Sequence, residues 1–152
     1  MRKILNMTPI CAVLLIVAAC SRQPPFKPVG SVKQIMAAAI VPSSEVLFDA
    51  VGTIVSAKGV EEIAPKNDEE WTNVRNHAIL LAESGNLLML GGRAKDNGEW
   101  MKIAQALVDA GVVALKAAEA KNPAALFDAG AGVYEVCERC HSRYWKEGRD
   151  NP

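Results

Sequence analysis

Apolar residues recur every three to four positions from residue 31 almost to the end of the 152-residue chain, and this periodicity constrains the fold more than any other feature. Such spacing lays one apolar stripe along an α-helix. The pattern divides into four segments, which open at Ser31, Asn67, Asp96 and Asn122. Since no alternating strand pattern interrupts them, we expect an all-α protein.

Each segment begins with a recognised helix-start signal. Ser31, Asn67 and Asp96 are each followed three positions later by Gln or Glu, the spacing of a capping box. Asn122 is followed by Pro123, which fits an N-cap and the first helical position. These signals predict where the four helices begin.

The segment ends and links predict how the helices connect. The first should run to Lys58-Gly59, with Pro42 kinking or splitting it, and Gly91-Gly92 should end the second. Helices of roughly 23–28 residues joined by short links favour antiparallel neighbours. The sequence therefore predicts an antiparallel up-down-up-down four-helix bundle.

The N-terminus has the features of an export signal. A basic start, Arg2-Lys3, precedes an uninterrupted apolar run from Ile10 to Ala19, which is too short to span a membrane. The run Val17-Ala18-Ala19-Cys20 resembles a bacterial lipobox, in which the cysteine becomes the lipidated first residue. Ordinary cleavage after Ala19 is the alternative. We expect a lipoprotein of the bacterial periplasm, and Ser21 favours the outer membrane.

The remaining chain divides by composition. We assign residues 1–19 to the signal peptide, 20–30 to a proline-rich flexible tether, 31–147 to the helical domain and 148–152 to a C-terminal tail. Removal of the signal peptide leaves fifteen basic against seventeen acidic residues. No basic tract indicates nucleic-acid binding, so the expected contacts are with the membrane, through the lipid, and with unidentified redox proteins.

The sequence Cys137-Glu138-Arg139-Cys140-His141 near the end of the fourth segment carries the clearest chemistry. Two thiols at this spacing can add to the two vinyl groups of one porphyrin, which leaves the adjacent imidazole under the iron. We therefore expect one covalent haem c, attached through Cys137 and Cys140, with His141 as the proximal ligand. Export agrees with this, because such haem is attached after secretion.

Three other interpretations of the two cysteines remain. A redox dithiol normally accompanies a βαβ pattern, which this chain lacks. A closed zinc site needs about four ligands, and His77 is the one further strong ligand outside the export segment. A disulfide between Cys137 and Cys140 would close a very short loop and stabilise little.

The closing motif resembles the cytochrome c′ family, or class II c-type cytochromes. The resemblance covers about Ser31 to Trp145, and its most specific part is Tyr134-x-x-Cys137-x-x-Cys140-His141-x-x-Tyr144. Val32-Lys33-Gln34-Ile35-Met36 is similar to the first helix of the low-spin members, which place the sixth iron ligand there. The resemblance implies an electron carrier rather than an enzyme, and a homodimer.

Bundle topology points independently to the same methionine. The start of the first helix and the end of the fourth share one pole of an up-down-up-down bundle, so Met36 should lie near His141. We expect Met36 to be the distal ligand, and assign Met89 and Met101 to core packing. His77 lies too far from the pole. The alternative is a five-coordinate haem that binds NO or CO, which requires Met36 to leave the iron open.

Overall fold

The computed structural model describes residues 26–145, which form a mostly helical chain with one small sheet. The helices are α1 (Val32–Ile35), α2 (Val41–Asp49), α3 (Asp68–Met89), α4 (Glu99–Glu119) and α5 (Pro123–Tyr144), and the strands are β1 (Gly52–Ser56) and β2 (Gly59–Ile63). A π-helical turn, Met36–Ile40, joins α1 to α2. The predicted helical class is confirmed.

Some of the predictions fall on residues outside this range. The signal peptide at 1–19, lipidation of Cys20 and the tail at 148–152 all lie outside the described residues. Within residues 26–145, none of the helices combines the length and the apolar character that a membrane span requires.

Three of the four predicted helix starts are confirmed by their capping hydrogen bonds. Ser31 and Gln34 form a reciprocal capping box before α1. The Asn67 Oδ1 accepts from the Glu70 N–H at 2.9 Å before α3. The Asn122 Oδ1 accepts from the Ala125 N–H at 3.1 Å before α5, whose first residue is proline. These caps are local interactions, which is why sequence identifies them.

The predicted start at Asp96 is wrong by a few residues. The helix α4 begins at Glu99, and Gly98 at its N-cap has no side chain to offer. The Asp96 Oδ1 still accepts the N–H groups of Gly98 at 2.8 Å and Trp100 at 3.1 Å. Asp96 therefore satisfies a free N–H of the first turn from a position outside the helix.

Pro42 neither splits the first helical segment nor ends it. A proline in a helix removes one N–H and its ring collides with the carbonyl four residues earlier. Here the turn before Pro42 is π-helical, and the Val41 N–H donates to the carbonyl of Met36, five residues back. The wider turn accommodates the ring, so helical structure continues from Val32 to Asp49.

The first helical segment ends at Asp49, earlier than the predicted end at Lys58-Gly59. The prediction that the chain has no strands is also wrong. The helix α2 ends at Asp49, and β1 and β2 pair antiparallel in a hairpin, with Val55 opposite Val60. The β-branched run Thr53-Ile54-Val55 favours extended backbone. Gly59 has a φ of +128°, a conformation that glycine adopts most readily, at the turn.

The core lies between α3 and its neighbours. Helix α3 packs against α2 and α4, while α5 packs against α4 and α2. Trp71 and Trp100 are both buried. The other large buried side chains of this core include Leu47, Val74, Leu81, Leu88, Leu107, Leu126 and Val133.

Two glycines allow α3 and α4 to approach closely. A Cβ added at Gly111 would lie 2.7 Å from the Ala82 nitrogen and 2.8 Å from its Cα. A Cβ added at Gly85 would lie 2.7 Å from Val108 and 2.8 Å from the Ala104 carbonyl oxygen. Since backbone atoms cannot rotate away, neither position has room for a side chain without separating the helices.

Gly111→Ala is therefore expected to lower the free energy of unfolding by about 1–3 kcal/mol, the usual cost of overpacking a close contact. Gly132 on α5 is the matched control, because a Cβ there meets nothing within 4 Å. Gly132→Ala should instead stabilise the protein by about 0.5–1 kcal/mol. Urea denaturation followed by circular dichroism measures both, and equal effects would contradict the close approach.

Candidate functional site

An apolar cavity of about 230 Å³ lies where the first helical segment, the α3–α4 pair and α5 meet. Met36, Cys137, Cys140 and His141, the four residues assigned to haem by sequence, all line it. Its other lining residues are Ile40, Val41, Ser44, Phe48, Leu88, Trp100, Ile103, Ala104, Leu107, Tyr134, Val136 and Glu138. The fold thus brings together residues from both ends of the domain.

The first wall of the cavity comes from the π-helical turn and α2. Met36, Ile40, Ser44 and Phe48 recur every four positions, so they share one side of this segment. Met36 is half-buried and packs against the core, and Ile40 is buried. Met36 begins the π-helical turn, a local conformation that sequence reasoning did not foresee.

A hydrogen bond stiffens the second wall, between α3 and α4. The Trp100 Nε1–H donates to the carbonyl of Leu88 at 2.8 Å, and both residues line the cavity. Leu88 stands near the C-terminal end of α3, where carbonyls lack partners within the helix. Trp100 therefore satisfies one of them while its ring contributes apolar surface.

The third wall is one face of α5. Tyr134, Cys137, Glu138 and His141 follow the spacing of one helix face, and Cys140 lies at its edge. Cys137 and Cys140 are half-buried free thiols, not joined in a disulfide. Cys137, Cys140 and His141 thus line the cavity, while Arg139 is exposed and does not.

Burial controls the chemistry of the two thiols. It raises the pKa of Cys137, with the Glu138 carboxylate adding to the effect. Burial also raises the pKa of Cys140. The electrostatic interaction with Cys137 adds to this increase, and the positive charge of Arg139 reduces it. Both groups are therefore protonated thiols at neutral pH, which differs from the lowered pKa typical of catalytic or redox-active cysteines.

His141 contacts Trp145, one turn further along. The two rings meet edge to face, with centroids 5.1 Å apart and planes at 68°. The Tyr144 ring, although it is closer to His141 in sequence, packs edge to face on Trp100, at a centroid distance of 5.0 Å. Trp145 is thus the aromatic neighbour of the imidazole that sequence reasoning missed.

The hydroxyl of Tyr144 explains its different orientation. It donates to the Asp96 Oδ2 at 2.5 Å. This hydrogen bond, together with the N–H groups of Trp100 and Gly98, lowers the pKa of Asp96. Partial burial and the same carboxylate raise the pKa of Tyr144. At neutral pH the pair is therefore a carboxylate accepting from a phenol, which ties the end of α5 to the α3–α4 loop.

Exposed apolar side chains extend the cavity surface beyond its mouth. Val41, Phe48 and Tyr134 line the cavity, yet they are 43%, 39% and 57% exposed. The enclosed volume is smaller than the roughly 300–1,000 Å³ of typical ligand pockets. A large, flat, apolar group would be received partly by the cavity and partly by this open surface.

The other candidate ligands lie elsewhere. The His77 Nδ1 is 3.3 Å from the hydroxyl of Ser43, and His77 does not line the cavity. Met89 and Met101 pack against the core outside the cavity lining, as predicted. Within residues 26–145, no group of three or more His, Cys, Asp or Glu side chains is arranged to bind a metal ion without further ligands.

Arg93 is a second residue that sequence reasoning missed. It is buried, and its guanidinium donates to the carbonyls of Gly30 at 2.8 Å and Leu87 at 3.1 Å. A single arginine after two glycines carries no sequence signal for such a position.

Comparison of the chain with family models, curated proteins and solved structures found no match.

Proposed function

We propose that this chain is a c-type cytochrome of the cytochrome c′ kind, which transfers single electrons at the bacterial cell envelope. Cys137 and Cys140 would attach one haem through thioether bonds. His141 would be the proximal iron ligand, and Met36 the distal one. In this proposal the protein is an electron carrier, not an enzyme.

One observation carries the proposal. Met36 belongs to the first helical segment and Cys137, Cys140 and His141 to the last, yet all four line the same cavity. The sequence motif accounts for the three residues on α5 but not for a thioether in a separate wall. A π-helical turn at Met36 adds support, because such turns often occur at functional sites.

The chemistry of the lining residues also fits a haem. Two protonated thiols, one imidazole and one thioether face a cavity whose remaining side chains are mostly apolar. Glu138 is the one carboxylate among the lining residues. Haem would supply an iron centre that accepts and releases one electron, with a potential that a methionine ligand raises.

The side chains of this protein would then control that centre. Ile40, Leu107 and their apolar neighbours would exclude water from a bound haem, and the ring contact with Trp145 would limit rotation of His141. A sulfur ligand and a nitrogen ligand held by packed helices need little rearrangement when the charge changes. Such a site favours electron transfer over catalysis.

We further propose the antiparallel up-down-up-down bundle that the link lengths predict. Contacts between α3 and α4 support it, because the end of one meets the start of the other. Trp100 bonds to Leu88, Gly111 lies against Ala82, and the Lys121 ammonium is 2.6 Å from Asp68. The homodimer and the redox partner proteins stay predictions of the resemblance.

The location also belongs to the proposal. We infer a periplasmic protein anchored through a lipid on Cys20, in the outer membrane, because the run before Cys20 resembles a lipobox. The segment from 20 to 30 would separate the lipid from the helical domain. Because haem of this kind is attached after export, the proposal accounts for an export signal and a Cys-x-x-Cys-His motif in the same chain.

Intact-mass analysis tests the cofactor and the anchor together. Full-length protein made in a bacterium with cytochrome c maturation should be heavier than the mature polypeptide by one haem and by the lipid groups. In the matched variant Cys20→Ala the lipid mass, and labelling with radioactive palmitate, should disappear. A mature protein with no haem mass would refute the proposed function.

A further inference from the structure

The loop between α3 and α4, residues 90–98, is bonded to both ends of the described chain. Arg93 in this loop donates to the carbonyl of Gly30, 63 positions earlier. Asp96 in the same loop accepts from the hydroxyl of Tyr144, 48 positions later. Gly30 precedes α1, which leads to Met36, and Tyr144 closes α5, which bears His141. One short loop therefore contacts the two elements that carry the proposed iron ligands.

The contact at Arg93 is buried and highly directional. Arg93 is 6% exposed, and both of its side-chain hydrogen bonds go to main-chain carbonyls. One carbonyl, that of Leu87, lies in the last turn of α3, where a cation also interacts favourably with the helix dipole. The other belongs to the residue before the Ser31 cap. The guanidinium thus joins the end of α3 to the start of α1.

The contact at Asp96 uses both carboxylate oxygens. Oδ1 accepts the N–H groups of Gly98 and Trp100, while Oδ2 accepts the hydroxyl of Tyr144. The Tyr144 ring also lies against Trp100, a residue of the cavity wall. The carboxylate therefore links the start of α4 to the end of α5.

We propose that loop 90–98 sets the separation of Met36 and His141, with Arg93 and Asp96 as positioning residues. This inference rests on the proposed function, since it assigns the loop to the same site. Arg93 keeps the first helical segment, and with it the Met36 sulfur, against the cavity. Asp96 keeps α5 in place. Loss of the Arg93 contact should release only the first helical segment, which carries Met36. The end of α5, which carries His141, is held by the separate hydrogen bond between Asp96 and Tyr144.

Arg93→Met tests the distal contact in the haem-loaded protein, because methionine fills the buried space without donating to carbonyls. We expect the methionine–iron charge-transfer band to weaken and the affinity of the reduced protein for CO to rise about tenfold, as the open fraction of the site increases. Arg93→Lys retains a donor and should restore part of the band. Arg75→Met, at an exposed arginine of α3, is the matched control.

Amide hydrogen exchange gives a readout independent of haem spectra. Arg93→Met should accelerate exchange in residues 32–40 and leave α4 unchanged. Tyr144→Phe, which keeps the ring on Trp100 but loses the hydrogen bond, should accelerate exchange at the end of α5 instead. If neither variant differs from Arg75→Met in exchange or in CO affinity, the loop has no positioning role. A wild-type protein without covalent haem would refute the proposed function, while the exchange pattern would still test the loop.

Discussion

Replacing Cys137 and Cys140 together by serine should abolish covalent haem attachment, because a hydroxyl does not add to a vinyl group as a thiol does. A haem-stained denaturing gel should show no signal, and the mass should fall to that of the polypeptide. We expect the free energy of unfolding to fall as well, because the apolar walls of the cavity would lose the haem surface against which they pack. Single serine variants should retain one link and a weaker signal.

The matched control for this double variant lies between the two cysteines. Arg139 is exposed and does not line the cavity, so Arg139→Ala should keep haem at the wild-type level. Circular dichroism should show that the double variant retains helical structure. A double variant that still carries haem after denaturation would show that attachment uses other residues.

Replacing Met36 by alanine should convert the site from six-coordinate to five-coordinate. The methionine–iron charge-transfer band of the oxidised protein should disappear, and the reduction potential should fall because the thioether raises it. If Met36 occupies the iron about 99% of the time, its removal should raise the apparent affinity for CO about a hundredfold. Visible spectra and CO titration of the reduced protein measure both effects.

Met101→Ala is the control, because Met101 is also half-buried but lies outside the cavity lining. It should keep the band and the low CO affinity. A wild-type protein that lacks the band and binds CO at once would favour the gas-binding alternative. In that case Met36 would be a packing residue at the mouth of an open haem site.

The helical class and three of the four helix starts could be predicted from sequence. Ser31, Asn67 and Asn122 cap their helices through bonds to residues three positions away, so their signals are local. The hairpin β1–β2 was missed because apolar residues such as Val51 and Ile54 also fit a helical stripe. The β-branched run at residues 53–55 and Gly59 were the signals against a helix.

The four residues assigned to haem were also chosen from the sequence, which did not predict how the aromatic side chains pack around them. The spacing of Cys137, Cys140 and His141 places them on one side of a helix wherever that helix lies, so the motif determines their chemistry. The position of Trp145 against His141, and of Tyr144 against Trp100, depends on the partner that each side chain finds. The hydrogen bond from the Tyr144 hydroxyl to Asp96 holds the Tyr144 ring against Trp100.

By itself the sequence determined the helical class, three of the helix caps and the placement of the three proposed haem-binding residues of α5 on one side of a helix, because each depends on neighbours within a few positions. The tertiary structure alone decided that a π-helical turn accommodates Pro42, and that Arg93 of the α3–α4 loop is buried against the residue before α1. Long-range packing has no local signature, since the free energy of a contact such as Arg93 with Gly30 exists only after the helices have come together.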